Sequence, residues 1–132
     1  PAEPTIFRPG NDDPLVACGT SVAAVAICAD VGRPEHAERA HNRGARTYLA
    51  SMFVIPQDLR GEVRNLTTYA VRHHMTVAFA NYGGPSGGLP SAGRSAIWSD
   101  EGTCLIQLDE HGPGVAVAIE TDDGWRVTAT MM

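Results

Sequence analysis

Cys28 closes an apolar run, Val22 to Cys28 (VAAVAIC), and stands shortly before Pro34-Glu35. A thiol at the end of a buried strand, just ahead of a turn into a helix, is exposed at the sheet edge. It also faces the positive end of the helix dipole. The same tight turn aims backbone N–H groups at one point, which suits a developing oxyanion. This is the placement of a nucleophile that attacks an electron-poor carbon. A buried structural cysteine is the competing reading, and the residues by themselves leave both open. Cys104, inside the run Thr103–Leu108, and Cys18, in a loop approach, read as structural.

Partners for that thiol are scarce in the sequence. His36 and His41 fall on the segment after Cys28, and His73 and His74 fall at the end of a later helical segment. Nothing local fixes a Cys–His pair, so these read as surface or helix-terminal histidines, with a Cys–His enzyme using His73 or His74 as the remotest alternative. There is no HExxH, and His36 and His41 are five apart, a poor ligand spacing on a helix, so no metal is expected. All ten basic residues are arginine. A Schiff-base lysine, a phosphate-binding lysine and a lysine general base are therefore excluded from this chain. The Gly-rich stretch 82–93 (YGGPSGGLPSAG) lacks GxxxxGK and opens no helix, so it reads as a surface or pocket-edge loop, and no cofactor is expected. Asp12-Asp13 and Asp122-Asp123 read as turn formers.

The net charge of −5 argues against a nucleic-acid partner. No run of 18 apolar residues exists, so no membrane span is expected, and no secretory leader is visible either. Three cysteines, odd in number and without CxxC spacing, fit a reducing cytoplasm better than a disulfide framework.

The elements that must position Cys28 follow from pattern. Residues 1–21, rich in proline and glycine, read as loop feeding a strand. The run 22–28 reads as a strand buried on both faces. Pro34 fits the first turn of a helix that stops near Gly44, with Glu35 and Arg39 paired four apart. Thr47–Phe53 reads as a second buried strand. Pro56 opens another helix, with Leu59, Val63, Leu66 and Ala70 on one face. Thr76–Asn81 is a third strand. Residues 22–81 thus alternate β-α-β-α-β, an α/β layer with right-handed crossovers. Arg94–Trp98, Thr103–Leu108, Val115–Glu120 and Trp125–Thr130 read as four short strands of an antiparallel, hairpin-rich tail.

The stretch 24–51 resembles the nucleophile segment of the nitrilase, or carbon-nitrogen hydrolase, superfamily. The family's order of C-x-D/E, P-E, Arg and Gly-Ala appears as Cys28-Ala29-Asp30, Pro34-Glu35, Arg39 and Gly44-Ala45. Phe7-x-Pro9-Gly10 resembles the loop before the nucleophile strand. Asn81-x-Gly83 closes the third strand as in the family, and Gly93-x-Ser95 with Gly102 resembles its G-x-S…G hairpin. The resemblance implies an α-β-β-α sandwich and a Glu-Lys-Cys triad that attacks an amide or nitrile carbon. It implies Cys28 as the nucleophile, the Ala29 N–H as oxyanion donor, and Glu3 as the match to a second glutamate. Ser51, Met52 and Phe53 fall where the family's next strand reaches the substrate pocket. Ala29 departs from the larger residue the family often carries there.

The family's general-base Glu and its Lys both precede the F-x-P-G loop, where this sequence has almost nothing. The chain also starts at Pro1. We therefore expect residues 1–132 to be one partial domain, the C-terminal half of a hydrolase of non-peptide C–N bonds. Amides are expected before nitriles, and the chain by itself should be inactive or nearly so. Completion by the missing half or a homo-oligomer is the expected assembly. A non-catalytic binding module on the same scaffold is the alternative.

Overall fold

The structure, a computed structural model, describes residues 3–8, 10 and 12–132. Pro9 and the side chain of Glu3 lie outside the described residues. A short helix α1 (Glu3–Ile6) leads to β1 (Leu15–Cys18) and β2 (Ser21–Ile27). A single 3₁₀ turn (Cys28–Asp30) then feeds α2 (Pro34–Asn42), β3 (Thr47–Met52), α3 (Pro56–His73) and β4 (Thr76–Asn81). Four more strands follow: β5 (Ala96–Trp98), β6 (Cys104–Gln107), β7 (Gly114–Thr121) and β8 (Gly124–Met131).

Strands β1 to β6 form one sheet in sequence order. β2, β3 and β4 run parallel, because α2 and α3 carry the chain back across one face. β1, β5 and β6 are antiparallel additions at the edges. β7 and β8 pair only with each other, as a ribbon beside the sheet. The alternation expected for 22–81 is therefore present, and the tail carries the four expected strands.

Residues 1–21 differ from the expectation. Leu15–Cys18 is a strand, not a loop, and Cys18 ends it opposite Ser21. Four residues between Pro14 and Gly19 are too few to show a period, yet Gly19 at φ +60 closes a tight hairpin onto β2.

The burial of β2 also differs. Alternate residues point to opposite faces of a strand. Ala24 and Ala26 are buried against the helices, whereas Val25 is half-buried and Ile27 is 65% exposed. The same split runs through β3 and β4: Tyr48, Ala50, Val77 and Phe79 are buried, while Leu49, Ser51, Ala78 and Ala80 are not. One sheet face is a core packed with Leu66, Tyr69, Ala70, Val31 and Met75. The other is left largely open, flanked by Gly114, Val115 and Ala116 of β7.

A buried polar chain ties α2 and α3 to that core. His36 is buried, not on the surface, and its Nδ1 lies 2.8 Å from the Tyr48 hydroxyl. Tyr48 stacks edge-on against Tyr69, whose hydroxyl donates to the Val31 carbonyl at 2.6 Å. On the outer side, Arg39 Nε donates to Asp13 at 2.6 Å and holds that carboxyl below its ordinary range.

Candidate active site

Cys28 lies one residue beyond β2, as the first residue of the 3₁₀ turn. Its backbone has φ +48, in the left-handed region that L-residues other than Gly, Asn and Asp seldom adopt. The turn is held on both sides. The Asp30 carboxylate accepts the Ile27 N–H at 3.0 Å, and the Cys28 carbonyl accepts the Val31 N–H at 3.1 Å. The helix side adds Arg33 N–H to the Asp30 carbonyl at 3.1 Å, just before Pro34 opens α2. A sharp, strained strand-to-helix turn of this kind lifts the residue at its apex out of the sheet, and the Cys28 side chain is exposed.

Parallel strands bring their C-terminal ends to one edge, and in open α/β sheets ligands bind there. Cys28, Ala29 and Gly32 from the turn meet Met52, Phe53 and Val54 from the end of β3 around a cavity of about 210 Å³. Asp58 and Glu62, one helical turn apart on α3, complete the lining. Oε2 of Glu62 is buried and has no hydrogen-bond partner among the described residues. The loop behind the cavity is stitched by Asn81. Its Oδ1 accepts the Val54 N–H at 2.8 Å, and its Nδ2 donates to the carbonyls of Gly93 at 2.8 Å and Val54 at 3.3 Å. Gly93 is required here: at φ +57, an added Cβ would lie 2.0 Å from the Glu110 carbonyl oxygen.

Of the residues singled out from the sequence, Cys28, Ala29, Met52 and Phe53 are brought together. Ser51 is not. It is exposed and lines a groove of about 510 Å³ on the uncovered sheet face, with Val25, Leu49 and Ala78. Asp58 and Glu62 were missed. Asp58 reads from sequence as an acidic residue in a helix first turn, and the i, i+4 spacing to Glu62 was the only available signal that both share a face.

The histidines stand elsewhere. His41 and His73 stack with ring centroids 5.2 Å apart, near the C-terminal ends of α2 and α3. Glu62 and His73 are eleven residues apart on α3, about 16 Å of helix, and no histidine among the described residues lines the Cys28 cavity. Cys18 and Cys104 are also exposed, and Cys104 opens β6 instead of sitting mid-strand. No cluster of three or more metal-ligating side chains occurs among the described residues. No helix among them is long and apolar enough to cross a membrane.

The carbon-nitrogen hydrolase model matches residues 1–123. The chain belongs to the carbon-nitrogen hydrolase family. A hydrolase encoded in the pqqF 5′ region of Pseudomonas protegens is 33% identical over 110 residues, which is 80% of this chain and 38% of that protein. The NitN amidase of Nesterenkonia sp. AN1 superposes with a TM-score of 0.71 at 31% identity, covering 84% of this chain and 44% of the amidase. A Glu-to-Gln variant of the Nesterenkonia amidase matches equally well, and it carries the Michael adduct of acrylamide at its active-site cysteine. This carbon-nitrogen hydrolase chain therefore has a nitrilase-like α/β fold, and it spans less than half the length of these relatives.

Proposed function

We propose that residues 1–132 supply the nucleophile half of an amidase-type carbon-nitrogen hydrolase, with Cys28 as the nucleophile. The observation that carries this reading is the left-handed turn that presents the Cys28 thiol at the C-terminal edge of the parallel strands, beside a small cavity. The thiolate attacks the amide carbon, a C–S bond forms, and the carbonyl π pair moves to oxygen. The Ala29 N–H donates to that oxyanion. Collapse restores the C=O and breaks the C–N bond, with a proton delivered to the departing nitrogen. Water then attacks the thioester carbon and gives up a proton, releasing the carboxylic acid and the thiol.

Two protons must be carried in this cycle. The family resemblance assigns that work to a glutamate and a lysine that precede the F-x-P-G loop, and this chain contains no lysine. Glu3 keeps its place as the second glutamate through that resemblance. Met52 and Phe53 form the apolar wall against the substrate's acyl part. Ser51, on the opposite sheet face, drops from the pocket. The family fits a small amide substrate, and three cysteines without CxxC spacing fit a reducing cytoplasm.

The test is turnover of simple amides and nitriles by the isolated chain and by Cys28→Ala. The expected result is a rate for both that is indistinguishable from buffer. Robust turnover that Cys28→Ala abolishes would overturn the incompleteness of the chain. Robust turnover that survives the substitution would overturn the nucleophile. The absence of lysine also favours one second reading, a non-catalytic module on the same scaffold. A thiol at Cys28 that forms no covalent adduct with amide-like electrophiles would favour it.

A further inference from the structure

The lining of the Cys28 cavity is unbalanced. Ala29, Met52, Phe53 and Val54 are apolar, and Gly32 adds no side chain. Apart from the thiol, the hydrogen-bonding side chains are Asp58 and Glu62, which when ionised can only accept. Among the described residues, no arginine or histidine side chain lines the cavity to neutralise them. Asp58 is exposed at the helix start, where water solvates it. Glu62 is different, because its Oε2 is buried in the structure without a donor. A buried carboxylate oxygen left unmatched costs more than an ordinary missing hydrogen bond.

We propose that Glu62 sets the substrate class of the Cys28 cavity: its carboxylate, at the cavity wall with no basic side chain beside it among the described residues, favours amides whose remainder carries an ammonium or guanidinium group over those carrying a carboxylate. The proposal rests on Cys28 being the nucleophile of this cavity. A cationic tail meets the negative charge of Glu62 and Asp58. A carboxylate tail meets like charge. The volume of about 210 Å³ restricts the tail to a few heavy atoms. Glu62 thus chooses the substrate without touching the reacting carbon.

The experiment uses the full chain with Cys18→Ser and Cys104→Ser, so that one thiol remains. Three methanethiosulfonates of similar size are compared: 2-aminoethyl, 2-sulfonatoethyl and methyl. In each, the Cys28 thiolate displaces methanesulfinate and forms a mixed disulfide, so no turnover is needed. The aminoethyl reagent should react faster than the sulfonatoethyl reagent. Glu62→Gln should lower that ratio about fivefold or more, and Asp58→Asn should lower it less. The methyl reagent should react equally with both variants, which shows that the cavity is intact. Glu62→Ala should repeat the Glu62→Gln ratio. A ratio unchanged by Glu62→Gln, or changed as much by Asp58→Asn, would overturn the role of Glu62. The nucleophile reading fails separately, if in the parent chain the methyl reagent labels Cys28 no faster than Cys18 and Cys104.

Discussion

The backbone of Cys28, at φ +48, is the clearest mark of function at the scale of single residues. An L-residue held in the left-handed region costs roughly 1–2 kcal/mol, which glycine does not incur. Since the Cys28 side chain is exposed, little packing is lost on removing it. Cys28→Gly should therefore be more stable than Cys28→Ala by about 1 kcal/mol in urea unfolding. Equal stabilities would show that the turn relaxes and stores no strain. The sequence made Cys28 and Ala29 legible because an apolar strand, a thiol and a proline-led helix stand in order. It also pointed to Ser51-Met52-Phe53 as a block. A strand cannot present adjacent side chains to one site: Met52 turns toward the cavity, so Ser51 must turn away. Glu62 was illegible because its significance is a missing partner, which only three-dimensional packing reveals.

At the scale of elements, the cavity depends on Asn81 holding the loop after β3 to the loop before β5. Asn81→Ala would leave the Val54 N–H and the Gly93 carbonyl without that partner. At about 1–3 kcal/mol for each buried unsatisfied group, a loss of roughly 2–4 kcal/mol is expected in chemical denaturation. Asn81-x-Gly83 and Gly93-x-Ser95 were visible as sequence pieces, but not that the first side chain bonds across to the second loop. The pairing of α2 with α3 carries a pH signature. Burial, and then neighbouring His41 and Arg72, push the His73 pKa below its ordinary 6.5. Below about pH 6.5 the unfolded chain gains a proton at His73 that the folded chain resists. Stability should fall as pH drops from 7.5 to 5.5, and His73→Gln should make that fall shallower. The Asp13 carboxyl, held low chiefly by its hydrogen bond to Arg39, stays ionised across this window and adds nothing to the slope. Parallel profiles for the two proteins would contradict this account of the helix interface.

For the whole molecule, the decisive feature is a sheet with one covered face. The sequence shows Val25, Ile27, Leu49 and Ala78 as parts of apolar runs, and such runs are read as buried on both sides. In the chain as folded, Val25, Leu49 and Ala78 line an open apolar groove beside the β7–β8 ribbon, and Ile27 is exposed. Alternation of apolar residues cannot say whether the second cover lies in the same polypeptide segment. An apolar sheet face of this kind drives association. The isolated chain should sediment as a concentration-dependent dimer or larger species, and Leu49→Lys should shift it toward monomer. A monodisperse monomer at high concentration would mean that the face is tolerated by water.

Competition among the three thiols tests whether Cys28 is the nucleophile of a carbon-nitrogen hydrolase. The chain is treated with limiting 2-chloroacetamide, an amide-bearing electrophile, and the modified peptides are quantified by mass spectrometry. All three cysteines are exposed, so access alone does not separate them. Cys28 should be alkylated at least about tenfold faster than Cys18 and Cys104, because its thiol stands on a strained turn at the C-terminal edge of the parallel strands. Equal labelling of Cys28 and Cys18 would contradict it.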